Sequence, residues 1–242
     1  MELNIPENTS KNTHNVIESL LMQDNPTKVL DIPSGAGAFT NRMLQKSIEV
    51  HSADIENILM VENENYVQAD MNKDLPFQDD LFDSVVCIDG IEHLENPFFF
   101  IREAERVTKK GGTVLISTPN INSIRSRWRW FWTSHHSNNK SPLNERKPSY
   151  LHHINMMSYQ RLRYIMHTNG FQIEKVATNR SKFISKLYAP FVPGAWLATS
   201  YVYRTHEHPD KDQLASNKEI LQTLYKSPLL FGETMIVKAR KL

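Results

Sequence analysis

Short apolar runs that stop at an acid or a turn residue recur along the first half of this chain. Val29-Leu30-Asp31-Ile32, Ile48 to Asp54, Asn65 to Asp70 and Phe82 to Asp89 have the length and the β-branched or aromatic content of buried strands. Between and around them the spacing changes to a helical one. Val16, Leu20 and Leu21 predict a helix from Thr13 to Met22, ended by Asn25-Pro26. "FTNRMLQKS" predicts a helix after the first strand. "NPFFFIREAERVTKKGG" predicts another, closed by the Gly111-Gly112 pair. "TVLISTPN" is a fifth strand, "SYQRLRYIMHTNGF" a helix stopped at Asn169-Gly170, "FQIEKVATN" a sixth strand and "ETMIVKAR" a seventh. Alternating strands and helices predict parallel crossover units and a doubly wound α/β sheet.

Two stretches break the pattern. Residues 121–150 are basic, aromatic and rich in Asn and Ser, and read as a loop. Residues 181–227 read as irregular, with an aromatic piece, "LYAPFVPGAWLATSYVYR", before a polar helix. We read the whole chain, 1–242, as one domain. Residues 13–120 are its cofactor-binding core, and 121–150 and 181–227 are its cap and insertion.

Composition adds limits. At 242 residues with 40% hydrophobic content the chain is long enough to bury a core. A single cysteine, Cys87, excludes a disulfide framework and points to a reducing, cytoplasmic setting. The first residues lack a basic and apolar leader, and no apolar run reaches the ~20 residues of a membrane span. The net charge of +1 conceals an uneven distribution. Residues 1–95 hold 5 Lys+Arg against 18 Asp+Glu, and residues 96–242 hold 23 against 9. Either the later part faces an anionic partner, or the two halves interleave and neutralise each other.

The chemistry concentrates where strands end. Gly35 and Gly37 follow the first strand and open a helix, a turn against which a nucleotide-type ligand can lie close to the backbone. Asp31, Asp54, Asp70 and Asp89 stand at the carboxyl ends of four successive strands, where ligand crevices of open parallel sheets form. Asp54 follows Gly37 by 17 residues, about the distance at which an acid can meet a ribose diol. A nicotinamide enzyme would want a third glycine where Thr40 stands.

"VLDIPSGAG", Asp54, "QAD" and "FDSVVCIDGIEHLENP", followed by "GGTVLISTPN", "HINMMSYQRLRYIMHTNGF" and "FGETMIVKARK", resemble the class I S-adenosylmethionine-dependent methyltransferases. The resemblance is to bacterial members found with cell-surface glycan synthesis. It implies a Rossmann-like, seven-stranded, mostly parallel sheet with an antiparallel last strand in a three-layer α/β/α sandwich, capped after strand five and with an insertion before strand seven. It also implies S-adenosylmethionine as cofactor. Asp31, Ser34, Gly35 and Gly37 would hold the methionine moiety, Asp54 the ribose, Asp70 and Met71 the adenine, and Ile88 would line the pocket. Where the family usually has Gly-Cys-Gly, this chain has Pro33-Ser34-Gly35, and Pro33 fixes φ and removes a donor.

Methyl transfer needs alignment and exclusion of water, and a hydroxyl acceptor gains from a base or a metal. "DGIEHL" supplies Asp89, Glu92 and His93, of which Asp89 and His93 are the candidate catalytic residues. The trio resembles the E-x-x-E-H metal site of ubiquinone-pathway O-methyltransferases with Asp89 replacing the first Glu, and we assign it no metal. A structural or helix-capping role for His93 stays open.

Trp128, Trp130 and Trp132 alternate with Arg127 and Arg129. Such a segment can bind nucleic acid, sit at a membrane interface, cover a substrate or pack on the core. Residues 121–150 carry Arg125, Arg127, Arg129, Lys140, Arg146 and Lys147 against Glu145 alone, and His152 and His153 follow. The expected activity is O-methylation of a small-molecule or glycan hydroxyl, with an anionic acceptor fitting the basic half. RNA methylation, or a cofactor-binding scaffold without catalysis, are the alternatives. No RNA-binding module is visible, which makes a nucleic-acid partner the weaker expectation.

Overall fold

The computed structural model describes residues 5–139, 141–205 and 210–242; Lys140 lies outside them. Seven strands run β1 (Lys28–Asp31), β2 (Glu49–Asp54), β3 (Tyr66–Gln68), β4 (Phe82–Ile88), β5 (Thr108–Pro119), β6 (Phe171–Ala177) and β7 (Thr234–Lys241). They form one sheet in the order β3-β2-β1-β4-β5-β7-β6. β1 to β5 pair in parallel, and β7 enters antiparallel between β5 and β6. The seven-stranded expectation, antiparallel last strand included, is met.

Strand alternation feeds two cores. Leu30, Val85, Cys87, Val114, Ile116, Met235 and Val237 face one side, and Val29, Val86, Leu115 and Ile236 the other. Against the second side pack α1 (Thr13–Leu21) through Ile17 and Leu21, and α2 (Ala38–Leu44) through Phe39 and Met43. Against the first side pack α3 (Pro97–Val107) through Phe100, Ile101 and Ala104. That helix starts where the Asn96 side chain accepts the Phe99 N–H and Pro97 presets φ.

Three expectations about elements are corrected. Helix α3 stops at Val107, not at the Gly111-Gly112 pair. The β4–β5 pairing jumps from Phe82↔Thr108 to Ser84↔Thr113, so Lys109 to Gly112 form a bulge, with Gly111 at φ +75°. The glycines serve the bulge. Residues read as loop form α4 (Ile124–Thr133), started by the Ser123 side chain accepting from Ser126 N–H. Only Ile124 and Ser126 of α4 are buried, so no helical apolar stripe marks it in the sequence. After α5 (Tyr159–His167) and β6, the stretch read as irregular holds α6 (Phe183–Lys186) and α7 (Val192–Thr205). Then come α8 (Lys211–Leu224) and α9 (Ser227–Phe231).

The two charge halves do interleave in part. Asp24 pairs with Lys238 at 2.7 Å and Arg240 at 2.9 Å, Asp83 with Lys109 at 2.6 Å, and Asp80 with Lys241 at 2.9 Å. Among the described residues no helix is long and apolar enough to cross a membrane.

Candidate active site

The four acids read from the strand ends converge on one cavity of about 600 Å³ at the carboxyl ends of the parallel strands. Asp31 ends β1 and is fully buried. Thr40, in the first turn of α2, donates its hydroxyl to Asp31 Oδ2 at 2.7 Å, and that hydroxyl also meets Ser52 Oγ at 2.8 Å. Thr40 is therefore a positioning residue. The other oxygen, Asp31 Oδ1, has no hydrogen-bond partner, nor does the buried Ser34 Oγ beside it in the cavity wall. Burial pushes Asp31 up to about 7, the Thr40 hydrogen bond opposing and the Asp54 charge adding to the rise.

Gly35 sits at φ +52° and its N–H donates to Asp54 Oδ2 at 2.8 Å, so the turn after β1 and the end of β2 hold each other. Gly37 has a different task. At φ +87° it caps α2, and a Cβ there would lie 2.6 Å from Val61 Cγ1. It holds the loop after β2 close and does not itself line the cavity. Pro33 and Gly90 lie together where the loops after β1 and β4 meet, so that a Cβ on Gly90 would overlap the Pro33 ring.

Asp70 lies two residues past β3 and accepts from Asn72 N–H at 2.9 Å, while Met71 and Ile88 give the wall apolar surface. Glu7, Asp31, Asp54, Asp70 and Asp89 line the cavity, with no lysine or arginine among the described residues there. A site so lined favours a ligand carrying positive charge and hydroxyl donors.

The end of the cavity next to β4 holds the candidate catalytic groups. Asp89, at φ +46°, is clasped: Ser117 donates to Oδ1 at 2.6 Å and Thr9 donates to Oδ2. Residues 91–93 form one tight turn rather than a longer helix. Glu92 is buried with both carboxylate oxygens unpartnered, and burial, aided by the Asp89 charge, pushes it up to about 8. His93 Nδ1 lies 3.1 Å from the His152 carbonyl. A carbonyl can only accept, so Nδ1 carries the proton and Nε2 keeps its lone pair. Burial holds His93 below the usual histidine range, so it is neutral at pH 7.

The His153 ring stands edge-on to His93 at 4.8 Å. Glu92, His93 and His153 each offer a ligand atom within 4.8 Å of the others; Asp89, held by Ser117 and Thr9, is not of that group.

The sequence did not point to the roof. Pro6 to Thr9 and His14 line the cavity from the amino-terminal segment, which is held by Glu7 to Arg42 and by Thr9 to Asp89. Tyr150 lines it from the cap and donates to Glu56 Oε2 at 2.7 Å. No periodicity marks these residues; their place depends on contacts far apart in the chain.

A family model described as a methyltransferase domain matches residues 7–176. This chain belongs to that family. A ubiquinone biosynthesis O-methyltransferase of Pseudomonas aeruginosa is 32% identical over 108 residues, 39% of this chain and 45% of that protein. A ubiquinone/menaquinone biosynthesis C-methyltransferase of Pasteurella multocida is 36% identical over 104 residues, 37% of this chain and 38% of that protein. The matched part thus spans less than half the length of either relative. Among solved structures, a SAM-dependent methyltransferase from Archaeoglobus fulgidus shares the fold, with a TM-score of 0.56 and 19% identity over 95% of both chains. For a methyltransferase domain, the cavity at the ends of β1, β2, β3 and β4 is the part of the sheet to which the acids had pointed.

Proposed function

We propose that this methyltransferase domain uses S-adenosylmethionine and methylates a hydroxyl of a small-molecule or glycan acceptor. The cofactor fits the residues present. Its cationic methionine end matches the unpartnered Asp31 Oδ1 and Ser34 Oγ. Asp54 would accept from the ribose hydroxyls, and Asp70 with Met71 would meet the adenine. When bound, the cofactor supplies an electrophilic methyl group.

The observation that carries the O-methylation reading is His93. Its proton is fixed on Nδ1 by the His152 carbonyl, its ring is neutral at pH 7, and it lines the cavity. Its Nε2 is thus prepared to take the proton of an acceptor hydroxyl. Asp89, lining the same end, would orient the acceptor. The relatives divide between O- and C-methylation, and the fixed tautomer of His93 favours the oxygen acceptor here.

The test uses labelled cofactor with separate pools of phenolic quinone precursors, sugar nucleotides, and RNA. Once an acceptor is found, His93→Ala should lower turnover by about 10²–10⁴-fold while calorimetry shows cofactor affinity within twofold of the parent. Unchanged turnover would remove His93 as the base. Methylation of the RNA pool alone would replace the acceptor class.

A further inference from the structure

We propose that α4 together with the α6–α7 segment forms a docking surface for an anionic lipid bilayer. Trp130, Phe131 and Trp132 on α4 are 53%, 70% and 65% exposed, and Phe183 on α6 is 76% exposed. Leu187, Trp196 and Leu197, from the end of α6 and from α7, are exposed as well. The two segments are joined by Trp128, whose ring lies 4.3 Å from Phe191 and 5.8 Å from Trp132. Contiguous apolar surface of this kind on a folded domain marks an interaction site.

Charge selects the occupant. Residues 121–139 carry Arg125, Arg127 and Arg129 and no acid, and residues 175–205 carry Lys175, Arg180, Lys182, Lys186 and Arg204 and no acid. Arg180 and Lys182 are engaged by Glu233, but Lys186 on α6 and Arg204 on α7 are exposed. A second copy of the chain would bring like charges together on this face. An anionic bilayer opposes them with phosphate and takes the aromatic rings at headgroup level. Nucleic acid would leave the aliphatic Leu187 and Leu197 without a match.

Topology places the surface usefully. α4 follows the carboxyl end of β5, and α6 follows that of β6, which runs parallel to β5 because both oppose β7. The carboxyl ends of β1, β2 and β4 hold the cavity. Docking surface and cavity thus share one rim of the sheet.

The test is co-sedimentation of the full chain with phosphatidylcholine vesicles, with and without phosphatidylglycerol, alongside tryptophan emission. Binding and a blue shift are expected with phosphatidylglycerol, and weak binding without it. The triple variant Trp130→Ser, Phe131→Ser, Trp132→Ser should lower partitioning by about tenfold or more. Removing one exposed cation should cost roughly fivefold, so Lys186→Glu with Arg204→Glu should abolish most binding. All replaced residues are exposed, and cofactor affinity by calorimetry should stay at the parent value, which also shows the variants folded. A parent that ignores both vesicle types overturns the proposal. So does binding that neither variant changes, or a parent dimer that the triple variant splits. Absent cofactor binding in the parent would instead count against the methyltransferase reading and leave the vesicle result standing.

Discussion

Asp31→Asn separates a cofactor acid from a structural one. In the structure Oδ2 is bonded by Thr40 while Oδ1 is unpartnered, and the group titrates at about 7 because it is buried. A cationic ligand needs the carboxylate form. Binding therefore pulls the proton off, and affinity scales with the ionised fraction. That fraction is about 1 in 100 at pH 5 and about 1 in 2 at pH 7, so the parent should bind roughly fiftyfold tighter at the higher pH, ~2 kcal/mol. The window stays below the ordinary α-amino range of about 7.7–8.0, so the ligand's ammonium does not titrate.

Calorimetry in buffers of different ionisation enthalpy should show about half a proton released at pH 7. His14, His93 and His153 also line the cavity and are held below the usual range by burial. Protonating them repels a cation, so their slope has the same sign. Asp31→Asn should remove its own share of the slope, remove the released half-proton and weaken binding at pH 7. Identical slopes in parent and variant, or no proton released at pH 7, would refute the reasoning.

Two further outcomes concern neighbouring acids. Asp54→Ala should weaken cofactor binding by roughly 1.5–3 kcal/mol, since charge-assisted hydrogen bonds to the ligand are lost and Gly35 N–H loses its acceptor as well; full affinity by calorimetry would take Asp54 out of the ribose site. Glu92 has its folded pKa raised to about 8, so its stabilising protonated form holds at low pH and is lost as pH rises toward 8. Urea denaturation should show Glu92→Gln gaining on the parent by up to roughly 3–4 kcal/mol between pH 5 and pH 8, and a difference that does not change with pH would show that Glu92 is not buried unpartnered.

What the sequence disclosed, and what it hid, follows from the range of the interactions involved. The strands β1, β2 and β4 were legible because apolar runs of strand length end in acids, and the sheet places those acids together. The end of α3 was misread because a glycine doublet serves a helix cap and a strand bulge equally well; only the partner strand decides. α4 was invisible as a helix because arginine and tryptophan alternate with period two, while its start depends on one side-chain cap at Ser123. His93 was legible as a chemical group, but its tautomer was not, because the carbonyl that sets it belongs to His152. Thr9, Tyr150 and the amino-terminal strap carry no local signal at all.

The place of β7 bears on how the chain comes to be made. It follows the other six strands in the chain, yet β6 depends on it for all of its pairing and β5 for its second neighbour. During translation β5 and β6 leave the ribosome with open edges, and the residues from Ala177 to Lys241 take on the order of seconds to follow. For that interval β6 is without a neighbour, and β5, paired with β4 on one side, presents an open and largely apolar edge from Val114 to Ile116. The first five strands can assemble as they emerge, whereas β6 must wait for the final one. A synonymous slowing of codons for α8 and α9 would lengthen that exposed period, and a chaperone that shields strand edges would matter most there.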